Sequence, residues 1–343
     1  MKRLLNTLYI TSPDTYLALD GENVVVRRDS EILLRVPLHN LEGIVKFGYL
    51  GVSPALMGAC AGKGISLVFM TSRGRFLATV VGEIHGNVVL RRTQYRVADD
   101  ASRCLMIARN CLVGKLYNSR WVLERTVRDH ALRVNVERLK QASNYLADTS
   151  QRLNAAMDLD SLRGFEGDAA TQYFSVFDEL ILQQKEAFFF KGRSRRPPLD
   201  NVNAMLSFAY TLLASECTSA LSAVGLDPFV GFLHQDRPGR RSLALDLMEE
   251  LRSVFADRLV LNLINNRQIT ADGFLQKENG AVVMQDETRR IFLESWQKKK
   301  QERIAHPFLK EKIEWGLVPH MQALLLARFL RGDLDAYPPF LWK

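Results

Sequence analysis

Apolar and polar positions follow two different rhythms along this chain. Up to about residue 95, short apolar runs at 7–11, 16–19, 23–27, 32–37 and 41–47 are broken by turn residues such as Asp20-Gly21 and Asp29-Ser30. Runs of that length, bounded by such turns, predict short β-strands. One helix interrupts them. Ser53 is placed to cap it, Pro54 suits its first position, and Gly62 and Gly64 close it. Two more strands, 65–70 and 76–81, join through Ser72-Arg73-Gly74. Many short strands with one helix predict a small β-sandwich.

From about residue 102 the apolar period lengthens to three or four. It marks helices over 104–130, 134–157, 162–182, 202–224, 242–264, 286–301 and 309–330. Residues 81–100 read as the connector. Asn279-Gly280, set between two short runs within 274–284, predicts a β-hairpin inside the helical half. The expected fold class is therefore α+β, with an N-terminal β-sandwich domain over 1–95 and a mainly α-helical domain over 96–343. A chain of 343 residues suits two domains. No internal repeat or low-complexity segment is visible.

Composition narrows the class. With 47% hydrophobic and 24% charged residues, the chain is ordinary for a globular protein and unlike a disordered, collagenous or coiled-coil one. Cys60, Cys104, Cys111 and Cys217 form no CxxC pair and sit among apolar neighbours, so they are expected to be buried free thiols. The longest apolar stretches, such as 321–330, fall far short of the roughly 20 residues that cross a bilayer. No apolar signal core follows the two N-terminal cations. A soluble, cytoplasmic protein with no membrane partner is the expectation.

The 46 Lys and Arg against 38 Asp and Glu leave a net charge of +8, which favours a polyanionic partner. Basic residues cluster at Arg91, Arg92 and Arg96, at Lys191, Arg193, Arg195 and Arg196, at Arg237, Arg240 and Arg241, and at Lys298 to Lys300 with Arg303. Such runs often sit on solvated loops and helix ends, but four in one chain raise the expectation of phosphate contacts. No Walker loop, GxGxxG, GxSxG or HExxH is present.

What remains is an acidic set around one histidine. Gly164 and Gly167 flank Glu166 inside a helical pattern, where glycine costs about 1 kcal/mol relative to alanine. Close approach of another group to that backbone would offset the cost. His234 ends an apolar stretch before the turn Arg237-Pro238-Gly239, and Asp246 and Glu249, three apart, share one helix face. Each feature alone has an ordinary reading: acids in a first helical turn, a packed histidine, surface carboxylates. Together, carboxylates with one imidazole suit Mg²⁺ or Mn²⁺, ions that stabilise in-line attack at phosphorus.

Ordered motifs then bring in a family. GYLGVSPALMGAC (48–60), GNVVLRRTQYR (86–96), GFEGDAA (164–170), RRPPLDNVNAMLSFAY (195–210), GLDPFVGFLH (225–234) and RPGRRSLALDLMEE (237–250) span essentially the whole chain. In that order and spacing the sequence resembles the CRISPR-associated adaptation integrase/endonuclease family, the larger core spacer-acquisition protein, and is most similar to the subtype I-C branch. The resemblance implies a β-sandwich that forms a homodimer interface and a helical catalytic domain. It implies a divalent metal on Glu166, His234 and Glu249, with Asp246 a less certain fourth ligand. It implies attack by the 3′-hydroxyl of a captured double-stranded DNA fragment on the CRISPR repeat, and assembly with a small dimeric adaptation partner. The basic runs at 191–196 and 237–241 would contact DNA, Tyr173 and Tyr210 would position DNA ends or simply pack, and Asn203 and Ser207 would make structural hydrogen bonds. The rival expectation is a non-catalytic DNA-structure-binding scaffold.

Overall fold

The computed structural model describes residues 6–72, 74–80, 82 and 88–342. Arg73 and the first part of the 81–100 connector lie outside the described residues. The chain divides into two units, Met1–His85 with Asp286–Glu302 and Glu314–Leu317, and Gly86–Gln285 with Arg303–Ile313 and Val318–Lys343.

In the first unit, β1 (Thr7–Ile10), β2 (Tyr16–Asp20), β3 (Asn23–Arg28), β4 (Glu31–Pro37) and β5 (Gly43–Phe47) precede α1 (Pro54–Lys63), β6 (Ser66–Met70) and β7 (Phe76–Val80). Every strand run predicted from sequence is present within one or two residues at each end. Strands β2, β3 and β4 form an antiparallel meander. The other sheet runs β1-β5-β6-β7, with β1, β5 and β6 mutually parallel and β7 antiparallel. A parallel pair needs a crossover, and α1 supplies the one between β5 and β6. Its ends are those the sequence marked: the Ser53 hydroxyl accepts from Leu56 N, and Gly64 closes the helix at φ 67°. Ile10, Leu17, Val24, Ile44, Leu56 and Leu67, drawn from both sheets and α1, share one core.

The second unit is helical: α2 (Val88–Ala98), α3 (Ala101–His130), α4 (Val136–Arg152), α5 (Leu159–Ser175), α6 (Asn201–Ala223), α7 (Ser242–Glu249) and α8 (Arg258–Asn265). The hairpin around Asn279-Gly280 is present as β8 (Phe274–Gln276) and β9 (Val282–Met284), with Gly280 at φ 77°. The last helices are α9 (Asp286–Gln301) and α10 (Val318–Arg331).

Four expectations change. Residues 88–98 are helix rather than connector. The run 309–330 is helical only from Val318, because Gly316 precedes it and Pro319 fits the first turn and not an interior. The run 242–264 is not one helix. A π turn over Arg252–Asp257 separates α7 from α8. Finally, α9 belongs to the first unit, where the sequence reading placed a single boundary near residue 95. There Phe292, Leu293 and Trp296 are buried, and so are Lys299 and Lys300 from the basic run at 298–300. Lys300 Nζ donates to Thr7 Oγ1 and Lys299 pairs with Glu302, so those two cations serve the unit's own interior.

All four cysteines are free and buried. Among the described residues, no helix is long and apolar enough to cross a membrane.

Candidate active site

The site lies within the second unit, on α3, α5, α6, α7 and the π turn that follows α7. Glu166 stands near the middle of α5, which Asp158 caps by accepting from Ser161 N. A Cβ on Gly164 or Gly167 would meet nothing within 4 Å. The close approach suggested by sequence is therefore made by no described group of this chain, and both glycines leave bare backbone beside Glu166.

Asp246 and Glu249 do share α7, but not as surface acids. Asp246 is 1% and Glu249 3% exposed. Burial alone would raise the Glu249 pKa. Arg252, Lys115 and His234, in that order, instead hold it well below the usual carboxylate range. Arg252 Nη1 donates to Glu249 Oε1 at 2.7 Å. Lys115 Nζ lies 2.9 Å from Glu249 Oε2, too poorly aligned to count as a hydrogen bond, and also hydrogen-bonds Glu166 Oε1. One ammonium thus bridges carboxylates from two different helices.

His234 is held from three sides. Asp246 Oδ2 accepts from Phe232 N (2.6 Å) and Leu233 N (3.0 Å), while Oδ1 accepts from His234 N and pairs with His234 Nδ1 at 2.7 Å. Arg163 Nε on α5 donates to Leu233 O. Gly231 is required here, because a Cβ would fall 2.7 Å from that of Ser242. With Nδ1–H directed at Asp246, the imidazole keeps the lone pair on Nε2. Asp246 spends both oxygens on this loop.

The tyrosines face inward. Tyr173 and Tyr210, buried at 4% and 8% exposure, both donate to Asp257, at 3.1 and 2.5 Å. Asp257 comes from the π turn, whose wider winding shifts the downstream face of the helix. Burial raises the Asp257 pKa to about 6, opposed by the Tyr210 hydroxyl and the Arg252 charge. Arg252 stacks over the Tyr210 ring at 4.4 Å. Lys115, Glu166, Tyr210, Glu249, Arg252 and Asp257 line one cleft.

The basic residues separate by environment. Arg195 lines that cleft and is exposed, as are Lys191, Arg196 and Arg237. Arg193 is committed inside, donating to Ser194 O, Asn203 Oδ1 and Ser207 Oγ, so Asn203 and Ser207 make the structural bonds expected of them. Arg240 is half-buried, and Arg241 is partly buried with Nη1 donating to Thr218 Oγ1.

Lys115, Arg252 and Asp257 were missed by sequence reasoning. Lys115 did leave a trace: the buried stripe of α3 runs Cys104, Ile107, Ala108, Cys111 and continues to Asn118, Ser119 and Val122, and Lys115 sits in its path. Arg252 and Asp257 left none, because an unbroken helical period hides the π turn.

Among the described residues, no three His, Cys, Asp or Glu side chains stand as a ready-made metal cage. The donor set nevertheless fits a hard divalent cation. Two carboxylates already enclose a cation, one buried carboxylate oxygen lacks an aligned donor, and the imidazole lone pair is oriented by a second carboxylate.

Comparison with known proteins gives the geometry a family. Residues 8–298 match the family described as CRISPR associated protein Cas1. The chain is 51% identical to CRISPR-associated endonuclease Cas1 1 of Chlorobaculum tepidum over the full length of both, and 51% identical to CRISPR-associated endonuclease Cas1 2 of Rhodospirillum rubrum, again over all of both chains. Its fold is similar to that of TM1797, a CAS1 protein from Thermotoga maritima, at TM-score 0.83 and 23% identity over 97% of this chain and 99% of the other. It is also similar to a chain of a Cas6-RT-Cas1–Cas2 complex, at TM-score 0.81 and 25% identity over 98% of this chain and 36% of that one. A strand-rich N-terminal region, a helical C-terminal region and full-length likeness to named relatives agree: the chain belongs to the CRISPR-associated Cas1 family.

Proposed function

We propose that Glu166, His234 and Glu249 hold one Mg²⁺ or Mn²⁺ and that the cleft beside them processes DNA phosphodiesters. The chain is a nuclease and integrase of CRISPR adaptation. Its reaction is attack by the 3′-hydroxyl of a double-stranded DNA fragment on a phosphodiester of the CRISPR repeat, with water as the alternative nucleophile in cleavage. When bound, the metal would supply Lewis-acid stabilisation of the negative charge that develops as the phosphodiester is attacked.

The chain's own groups do the rest. Asp246 fixes the His234 tautomer and the 232–234 backbone, so its role is positioning and not ligation. Arg252 neutralises one Glu249 oxygen and Arg195 meets phosphate at the cleft mouth, while the bare backbone at Gly164 and Gly167 leaves room for a strand. Lys191, Arg196, Arg237 and Arg240 extend the phosphate track, and Arg193 and Arg241 brace it from within. Tyr173 and Tyr210 hold Asp257 and shape the wall.

In the first unit, the two sheets sharing one core are read as a small sandwich. The exposed Ile32, Leu33 and Leu34 on β4 support its use in homodimerisation. Assembly with a small dimeric adaptation partner, placement in the subtype I-C branch and a cytoplasmic setting complete the proposal.

One observation carries this reading: acids from two helices converge on a single cation, and Glu249 among them also feels the charge of a histidine whose Nδ1 a third acid holds. The test is Mn²⁺-dependent cleavage and joining of double-stranded DNA with free 3′ ends by Glu166→Ala and His234→Ala. Both variants should fold, bind DNA and do no phosphodiester chemistry. Undiminished chemistry in both would sink the assignment, and DNA binding without any metal-dependent chemistry in the unaltered chain would favour the scaffold reading.

A further inference from the structure

Lys115 stands where neither metal ligation nor phosphate binding calls for a lysine. It comes from the core stripe of α3, its side chain is only 11% exposed, and its ammonium contacts Glu166 of α5 and Glu249 of α7. Arg252 already neutralises Glu249 Oε1. Lys115 is what the structure provides for the remaining Glu249 oxygen and for Glu166. Two carboxylates facing one another without a cation between them would repel, and burial makes that repulsion costly. Resting on the metal-site reading above, we propose that Lys115 is the site's built-in counter-ion: its ammonium fills the place between Glu166 and Glu249 that a divalent cation takes, and metal binding must displace it.

The choice of lysine follows from the exchange. An ammonium is a compact point charge on a flexible stem, able to withdraw without disturbing the helix that carries it, whereas an arginine fork would grip the carboxylates in a fixed plane. A metal and an ammonium at contact distance from the same two oxygens would also repel each other. The unloaded site is thereby kept intact, and its affinity for metal is kept lower than its ligands alone would give.

The test uses the full chain and Mn²⁺ alone. Lys115→Met keeps the stem and removes the charge; Lys115→Arg keeps the charge. Calorimetric titration should show Lys115→Met binding Mn²⁺ roughly 10- to 100-fold tighter than the unaltered chain, the range over which groups beside a metal site tune its affinity. Its metal-free melting midpoint should fall by roughly 5 °C, because two carboxylates lose their shared cation. Lys115→Arg should bind Mn²⁺ no tighter than the unaltered chain. Equal or weaker Mn²⁺ binding by a folded Lys115→Met would overturn the proposal.

A second measurement needs no variant. Acylation of the Lys115 amine by an N-hydroxysuccinimide ester, followed by peptide mass spectrometry, should speed up when Mn²⁺ is added. An unchanged or slower rate contradicts displacement. Glu166→Gln separates the two levels of inference: if it binds Mn²⁺ as the unaltered chain does, the metal-site reading itself fails.

Discussion

Glu249 and Glu250 are neighbours in sequence, both buried, and they live in opposite electrical surroundings. Glu249 faces cations. Arg252 and Lys115 pair with it, and its pKa is held far down. Glu250 faces neutral donors: the Tyr337 hydroxyl (2.6 Å), Gln322 Nε2 (2.9 Å) and Phe340 N (2.7 Å). Burial raises the Glu250 pKa to about 7 despite those bonds. One carboxylate is kept charged and ready for a cation; the other is a hydrogen-bonding post.

That post ties the end of the chain to the site. Asn118 on α3 donates to both Glu250 O and Phe340 O, and Trp342 N donates back to Asn118 Oδ1. Arg125 and Arg258 lie over the Trp342 ring. Gly114 lets α3 close on this junction, since a Cβ there would come within 3.0 Å of Glu250 Cγ. The two buried acids thus differ by their neighbours and not by burial.

The largest expected effect breaks the charged half. Glu249→Gln should lower Mn²⁺-dependent DNA cleavage and joining by about 10³-fold or more, the several kcal/mol that charge stabilisation by a metal supplies. Circular dichroism should stay native. Retention of most activity would erase the distinction between the two acids. Next, Phe340→Ala strikes the neutral half. Its ring is fully buried, so unfolding by urea should show a loss of about 3–5 kcal/mol.

Asp246→Asn is a smaller, more pointed change. It sets an amide against the backbone N–H groups that Asp246 now accepts, so calorimetry should show Mn²⁺ affinity falling roughly 10- to 100-fold. Affinity as in the unaltered chain would deny Asp246 its positioning role.

The smallest effect concerns Asp257, the buried acid of the π turn. Its pKa is raised from 3.8 to about 6, so the folded chain binds its proton more readily than the unfolded one. The stability linked to that proton is present below pH 3.8 and is lost as pH rises through about 6. The stability of the unaltered chain relative to Asp257→Asn should therefore rise by about 1 kcal/mol as pH falls from about 7 to 5. A shift of the opposite sign would mean that Tyr173 and Tyr210 stabilise the charged form more than burial penalises it.

Local signals made much of this legible. The Ser53-Pro54 start of α1, the Asn279-Gly280 hairpin and the strand runs are written in adjacent residues, and so they read directly. The candidate acids and His234 were legible through their company: glycines around Glu166, a helical spacing between Asp246 and Glu249. Two kinds of feature were not. The π turn that delivers Asp257 interrupts no apolar period, and 242–264 contains neither Gly nor Pro to mark it. Long-range pairings leave no local mark either: Glu250 meets Phe340, and α9 packs with strands almost 300 residues earlier. Even the split of the acids into charged and neutral needed Lys115, whose place in an apolar stripe is visible only once that stripe is known to be core.

The most direct test of the site is a crystal of the full chain grown with Mn²⁺ and measured for anomalous scattering. The expected result is one strong peak bounded by Glu166, His234 and Glu249, with Asp246 still on His234 Nδ1 and the Lys115 ammonium withdrawn. A peak on Glu250 or Asp257, or no peak at a Mn²⁺ concentration that supports DNA cleavage, would contradict it.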